Sequence, residues 1–207
     1  MPSLPTLLFL TAPISYFTLE YLTSRATAQP YSYIRHHTSL LAYPYPFKDK
    51  DTHLPTRSPR AYWMKANFIL NGLFHLTGQL HFINGQFLLT RKILAWMYCI
   101  GITLVAVDSG DASTPRGEKK QSPWHGLGAV MAILAGNLGS VLAGLGSGEE
   151  GGVYRGLSMG LGGVGLVGAV LSGVFVDGRW RGMWQRSAIY PIAMWMGVTG
   201  VTLMGRI

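Results

Sequence analysis

The chain reads as an all-α integral membrane protein, a polytopic bundle of six transmembrane helices with a long cytoplasmic loop after the first. Three observations carry that reading. Of 207 residues, 48% are hydrophobic and only 13% charged, about half the charged share of a soluble domain. The apolar residues gather into six runs, each close to the length of about 20 residues that a bilayer requires. The 27 glycines concentrate in the last third, inside apolar segments, where small residues let helices approach closely. Residues 1–207 are expected to form one membrane domain.

The first span runs from about residue 4 to 21 and is apolar except for Glu20 near its end. A cleaved signal peptide is the competing idea, because Arg25-Ala26-Thr27-Ala28 offers small residues. The lack of a basic n-region and the acidic Glu20 argue against it. The connection from Ser24 to Arg60 is rich in Pro, Tyr, His and basic residues. A loop this long in a small membrane protein is more often functional, or packed as a lid, than idle. Its His36, His37 and His53 lack metal-ligand spacing and read as surface histidines. Tyr31, Tyr33, Tyr43, Tyr45 and Phe47 suit an interfacial aromatic belt.

The second span, about 61–83, carries Asn67, Asn71, His75 and Gln79 at intervals of four. At roughly 100° per residue these positions drift over about 120° of helix surface and form one polar ladder. Polar groups cost free energy in hydrocarbon, so the ladder should face other helices or a wet cavity. It serves either as glue between helices or as the wall of a pocket.

The third span, about 91–107, ends in Asp108 and Asp111. The fourth, about 124–145, opens with His125 and carries Asn137 three turns deeper. The fifth, about 153–176, has Gly156, Gly160 and Gly168 on one face and Gly165, Ala169 and Gly173 on another. It is therefore expected to sit centrally, or to mediate helix–helix oligomerisation. The sixth, about 187–204, follows the basic loop 177–186 and Arg186.

Twelve of the 17 Lys and Arg residues flank the loops after spans one, three and five, against four on the other side. The positive-inside rule places the first group in the cytoplasm and both termini in the lumen or exterior; the endoplasmic reticulum is the expected membrane. The net charge of +8 is accounted for by these loops, which argues against nucleic acid as a partner. The lone Cys99 lies in an apolar run, so no disulfide framework or cysteine metal site is available.

With spans alternating in direction, Glu20, Asn67, Asn71, Asp108, Asp111, His125 and Arg186 all fall toward the cytoplasmic side. They suggest a polar cavity there. A carboxyl beside an apolar interior holds its proton more tightly, which suits a group that must donate it and take it back. Asp108, Asp111 or Glu20 would be the acid, and a second carboxylate or His125 the base. Asn67, Asn71, His75, Gln79, Asn137 and Arg186 would bind the substrate.

The run Pro123-Trp124-His125-Gly126-Leu127-Gly128-Ala129, followed by Ala135-Gly136-Asn137-Leu138-Gly139, resembles the six-span membrane proteins catalogued as domain of unknown function 998. Thr38-Ser39-Leu40-Leu41-Ala42, Ser58-Pro59 with Asn67 and Gly72, and Gly182-Met183-Trp184-Gln185-Arg186 agree in order. The resemblance implies six helices and a membrane location, and no activity. By analogy of size and polar inventory, small membrane epoxide hydrolases and cyclases of fungal secondary-metabolite (polyketide or terpene) biosynthesis are similar.

Two function classes follow. One is a membrane enzyme, without metal or redox cofactor, that opens an epoxide of a lipophilic small molecule by acid–base catalysis. The other is a non-catalytic carrier or complex subunit. No nucleotide loop, haem-attachment motif, serine elbow or zinc signature is visible in the sequence.

Overall fold

The computed structural model describes every residue except 28–29, 45–46, 49–54, 83–84, 109–121, 149–151, 177 and 206–207. Six helices follow in chain order: α1 (Leu4–Ser24), α2 (Ala61–Leu80), α3 (Leu88–Val107), α4 (Pro123–Leu145), α5 (Gly152–Val174) and α6 (Arg181–Met204). The six apolar runs of the sequence coincide with them to within a few residues at most ends. The connection between α1 and α2 adds a 3₁₀ turn, Thr38–Ala42, and a minimal antiparallel pair, β1 (Phe47–Lys48) with β2 (Pro55–Thr56).

Among the described residues, α3, α4, α5 and α6 are long and apolar enough to cross a membrane. The chain is an integral membrane protein. Of the six expected spans, α1 and α2 match the others in length and are not among those four. The ladder polar groups and Lys65 account for α2, and Glu20 with several hydroxyl residues for α1.

Each helix packs on its neighbours in sequence, and α6 returns to α1 to close the ring. Tyr16, Met64, Phe68, Tyr98, Ile102 and Ile192 form one buried core cluster, and Phe9, Trp195 and Met196 another. At the α3–α4 seam, Gly101 and Gly128 face each other so closely that a Cβ on either would lie 2.6 Å from the other's carbonyl oxygen.

The fifth helix is peripheral, not central. Among the described residues it packs mainly on α4 and α6, and its buried residues are Ser158, Gly162, Gly165 and Gly168. A single stripe serves both neighbours: Gly162 lies against Asn137 and Val141 of α4, and Gly168 against Ser187 and Ala188 of α6. Gly156, Gly160 and Gly173 are exposed, with open space where a Cβ would be.

The α1–α2 connection folds onto one end of the bundle. Thr38, Ser39, Leu41, Ala42 and Tyr43 are buried, Ser58 Oγ donates to the Leu41 carbonyl at 2.7 Å, and the Met183 amide donates to Ile34 O at 3.0 Å. For Tyr31 and Tyr43 the aromatic-belt expectation is corrected, while Tyr33 is exposed. Tyr43 is buried and Tyr31 packs inward, because both find polar partners or apolar cover on the bundle; Tyr45 lies outside the described residues. His36 and His37 are half-buried, not surface, residues, and His53 lies outside the described residues.

Candidate functional site in the loop-capped end

Beneath the connection, Glu20 and Arg186 meet. Glu20 lies one turn before the end of α1 and Arg186 in the second turn of α6, so ring closure brings together residues 166 positions apart. Arg186 Nη2 donates to Glu20 Oε1 at 2.9 Å, with both side chains almost wholly buried. Two charges taken out of water require full compensation, and the surroundings supply it. Nε donates to Tyr190 Oη at 2.9 Å, Nη1 to the Tyr33 and His36 carbonyls at 2.7 Å each, and Nη2 also to Tyr31 Oη. Glu20 accepts further bonds from Thr38 Oγ1 at 3.0 Å and Tyr190 Oη at 2.9 Å. Burial, reinforced by the charge of Glu20, pushes the Tyr31 phenol well above its ordinary pKa against the opposing pull of Arg186. It stays a neutral donor, to the His37 carbonyl at 3.0 Å.

The ladder faces inward, as its spacing required, and Asn67, Asn71, His75 and Gln79 are all buried. Its amides are directed mainly at α1. Asn67 Nδ2 donates to Tyr16 O at 3.0 Å, and Asn71 Nδ2 to Ala12 O and to Asn67 Oδ1, each at 3.3 Å. The His75 ring packs between Tyr98 and Trp195, with centroids 4.6 and 5.6 Å away. Gln79 leaves the group entirely and accepts from Arg91 Nη2 at 3.0 Å, at the opposite end of the bundle. Asn137 spends both amide protons on the Ile133 and Ala188 carbonyls, at 2.8 and 2.9 Å, and so ties α4 to α6.

His125 opens α4 and is 3% exposed. Its Nδ1 lies 3.1 Å from the backbone carbonyl of Asp108. A carbonyl only accepts, so Nδ1 carries the proton and Nε2 the lone pair in the neutral ring. The Asp108 carboxylate is partly exposed, with a buried Oδ2 that has no hydrogen-bond partner; Asp111 lies outside the described residues. His125 lines a cleft of about 40 Å³. The cleft is apolar along Phe68, Tyr98, Ile102 and Ile192 and polar at Thr38, Ser39, His125 and Gln185. Ser39 Oγ is buried without a partner, while Gln185 Oε1 holds the Thr38 amide at 2.8 Å.

Of the groups expected on the cytoplasmic side, Glu20 thus pairs with Arg186, and His125 meets the backbone carbonyl of Asp108; Thr38 bonds Glu20 and, with His125, lines the cleft. The ladder amides are not part of the cleft's lining. Among the described residues, no three His, Cys, Asp or Glu side chains are grouped as a metal ion would require.

The family model described as "Protein of unknown function (DUF998)" matches residues 9–202, nearly the whole length. The chain belongs to that family. No curated protein and no solved structure matches it. In this DUF998 chain the segments Thr38–Ala42 and Gly182–Arg186 hold the polar end of the cleft. Of their residues the sequence reading assigned a role to Arg186 alone and passed over Ser39, Gln185 and nearby Tyr190. Hydroxyls and amides are common in loops and helix ends, and only ring closure sets Ser39 and Gln185 around one hollow and Tyr190 on the Glu20–Arg186 pair. The recurrence of both segments in the family resemblance was the available signal.

Proposed function

We propose that this protein is a membrane enzyme, resident in the endoplasmic reticulum, that binds a lipophilic small molecule in the loop-side cleft and opens an epoxide on it by acid–base chemistry. The observation that supports this reading is the placement of His125, with its tautomer fixed, at the polar end of an apolar cleft covered by the α1–α2 connection. The substrate's apolar body lies along α2, α3 and α6, and its oxygen beside Thr38, Ser39 and Gln185. His125 Nε2 takes a proton from the attacking water as the new C–O bond forms. The epoxide C–O bond breaks, and its oxygen receives a proton from Asp108. Glu20, engaged by Arg186, Tyr190 and Thr38, serves as an anchor for the 3₁₀ turn rather than as an acid. The low dielectric of the cleft strengthens each polar contact.

A cleft of about 40 Å³ has room for a few waters, so substrate entry requires the connection to lift. The same small volume, with the ladder amides directed at helix backbone, favours the second reading: a non-catalytic carrier or complex subunit. Membranes containing the protein, supplied with a polyene epoxide, separate the two. Diol or cyclised product is expected from the wild type, with turnover reduced about 100-fold or more in His125→Gln. Equal turnover by both would remove His125 from the mechanism, and no conversion by the wild type would favour the non-catalytic reading.

A further inference from the structure

At the end of the bundle away from the cleft lies a larger cavity, about 270 Å³, lined among others by Phe82, Arg91, Tyr154, Thr199, Thr202 and Leu203. Arg91 belongs to the first turns of α3 and is 9% exposed. Of its five N–H groups, one reaches Gln79 Oε1 at 3.0 Å. The buried Nε–H has no acceptor, and the guanidinium stands 5.1 Å from the centroid of the Phe82 ring. No carboxylate among the described residues pairs with it. A buried cation left in this state is costly unless an anion joins it.

The hydroxyls around the cavity are committed to other partners. Thr199 Oγ1 donates to Trp195 O at 2.9 Å, Thr202 Oγ1 to Val198 O at 2.8 Å, and Ser147 Oγ to Gly144 O at 2.8 Å. Thr199 has only one proton to give, so in its 3.2 Å contact with Tyr154 Oη the phenol is the donor. Arg91 is thus the cavity's uncommitted side-chain donor, and its planar fork matches two oxygens of one oxyanion. Phe82, Ala143 and Leu203 supply an apolar flank.

We propose that this cavity binds the anionic head group, carboxylate or phosphate, of an amphiphile, with Arg91 as the binding residue and Gln79 positioning its guanidinium. The proposal is independent of the chemistry at His125. Its volume is slightly under the roughly 300 Å³ at which ligand pockets begin, which suits a head group and not a whole lipid.

The test is thermal unfolding of the full chain, in neutral detergent and in nanodiscs, with inorganic phosphate, hexanoate, or phosphatidylglycerol in place of phosphatidylcholine, against chloride at matched ionic strength. Wild-type protein should gain about 2–4 °C in Tm when a bound probe exceeds its Kd about fivefold. A gain only with phosphatidylglycerol identifies a lipid head group, and a gain with phosphate or hexanoate a soluble oxyanion; either supports the site. Arg91→Met should abolish the gain, and Arg91→Lys, which keeps the charge without the fork, should weaken binding about tenfold or more. The lysine variant decides the matter if the methionine variant does not fold. No gain with any probe, or an equal gain in wild type and Arg91→Lys, would overturn the proposal.

Discussion

Arg186 joins three separate parts of the chain at the loop-capped end. It contacts the end of α1 through Glu20, the connection through Tyr31, Tyr33 and His36, and its own helix through Tyr190 and Gly182. The pair is buried, so its desolvation is offset only while every partner stays in place. Removing one member leaves the other charged and unpaired, at a cost of roughly 3–5 kcal/mol. Arg186→Met is therefore expected to lower the Tm of purified protein by roughly 10 °C. Glu20→Gln should act in the same direction, and the double variant should lose clearly less than the sum of the two. A strictly additive cycle would mean that the two side chains do not interact energetically. Pairing of this kind was not legible in the sequence, where Glu20 and Arg186 were separate candidates for acid and substrate anchor. Nothing local indicates that α1 and α6 are neighbours.

Among the helices, α2 was the most legible and α5 the least. A four-residue polar spacing fixes a face whatever the neighbours are, so the inward turn of Asn67, Asn71, His75 and Gln79 followed from periodicity alone. What the face would touch did not follow, and the α1 backbone took the amides. In α5, glycines occur on every face, so spacing cannot select the buried stripe; neighbouring side chains do. Asn137 fills the space beside Gly165, where a Cβ would overlap its Oδ1. Gly165→Ala should thus cost roughly 1–3 kcal/mol by overpacking the α4–α5 seam. Gly160→Ala, which meets nothing within 4 Å, should change stability by no more than about 0.5 kcal/mol. Melting both variants in one detergent checks the contrast. Equal losses would place α5 in a different rotation from the one described.

At the scale of the whole molecule, the open question of physics is how α1 and α2 sit in a bilayer when, among the described residues, only the other four helices are long and apolar enough to cross one. Their polar groups are turned on each other: Asn67 and Asn71 bond to carbonyls of α1, and Glu20 is neutralised by Arg186. Crossing as a pair closed by α6 would leave the two helices with little polar surface for lipid. If both cross, the α1–α2 connection lies on the opposite side from both termini, and the positive-inside rule then predicts the cytoplasm for its basic residues. The sequence contains no Asn-x-Ser/Thr acceptor of its own, so an introduced glycosylation acceptor reports sidedness without background. An acceptor appended to either terminus should be modified in the endoplasmic reticulum, and one placed within residues 26–35 should not. Modification at all three places would mean that α1 does not cross and that four spans carry the protein. Modification of the connection alone would invert the orientation and place the Arg91 cavity, not the His125 cleft, toward the cytosol.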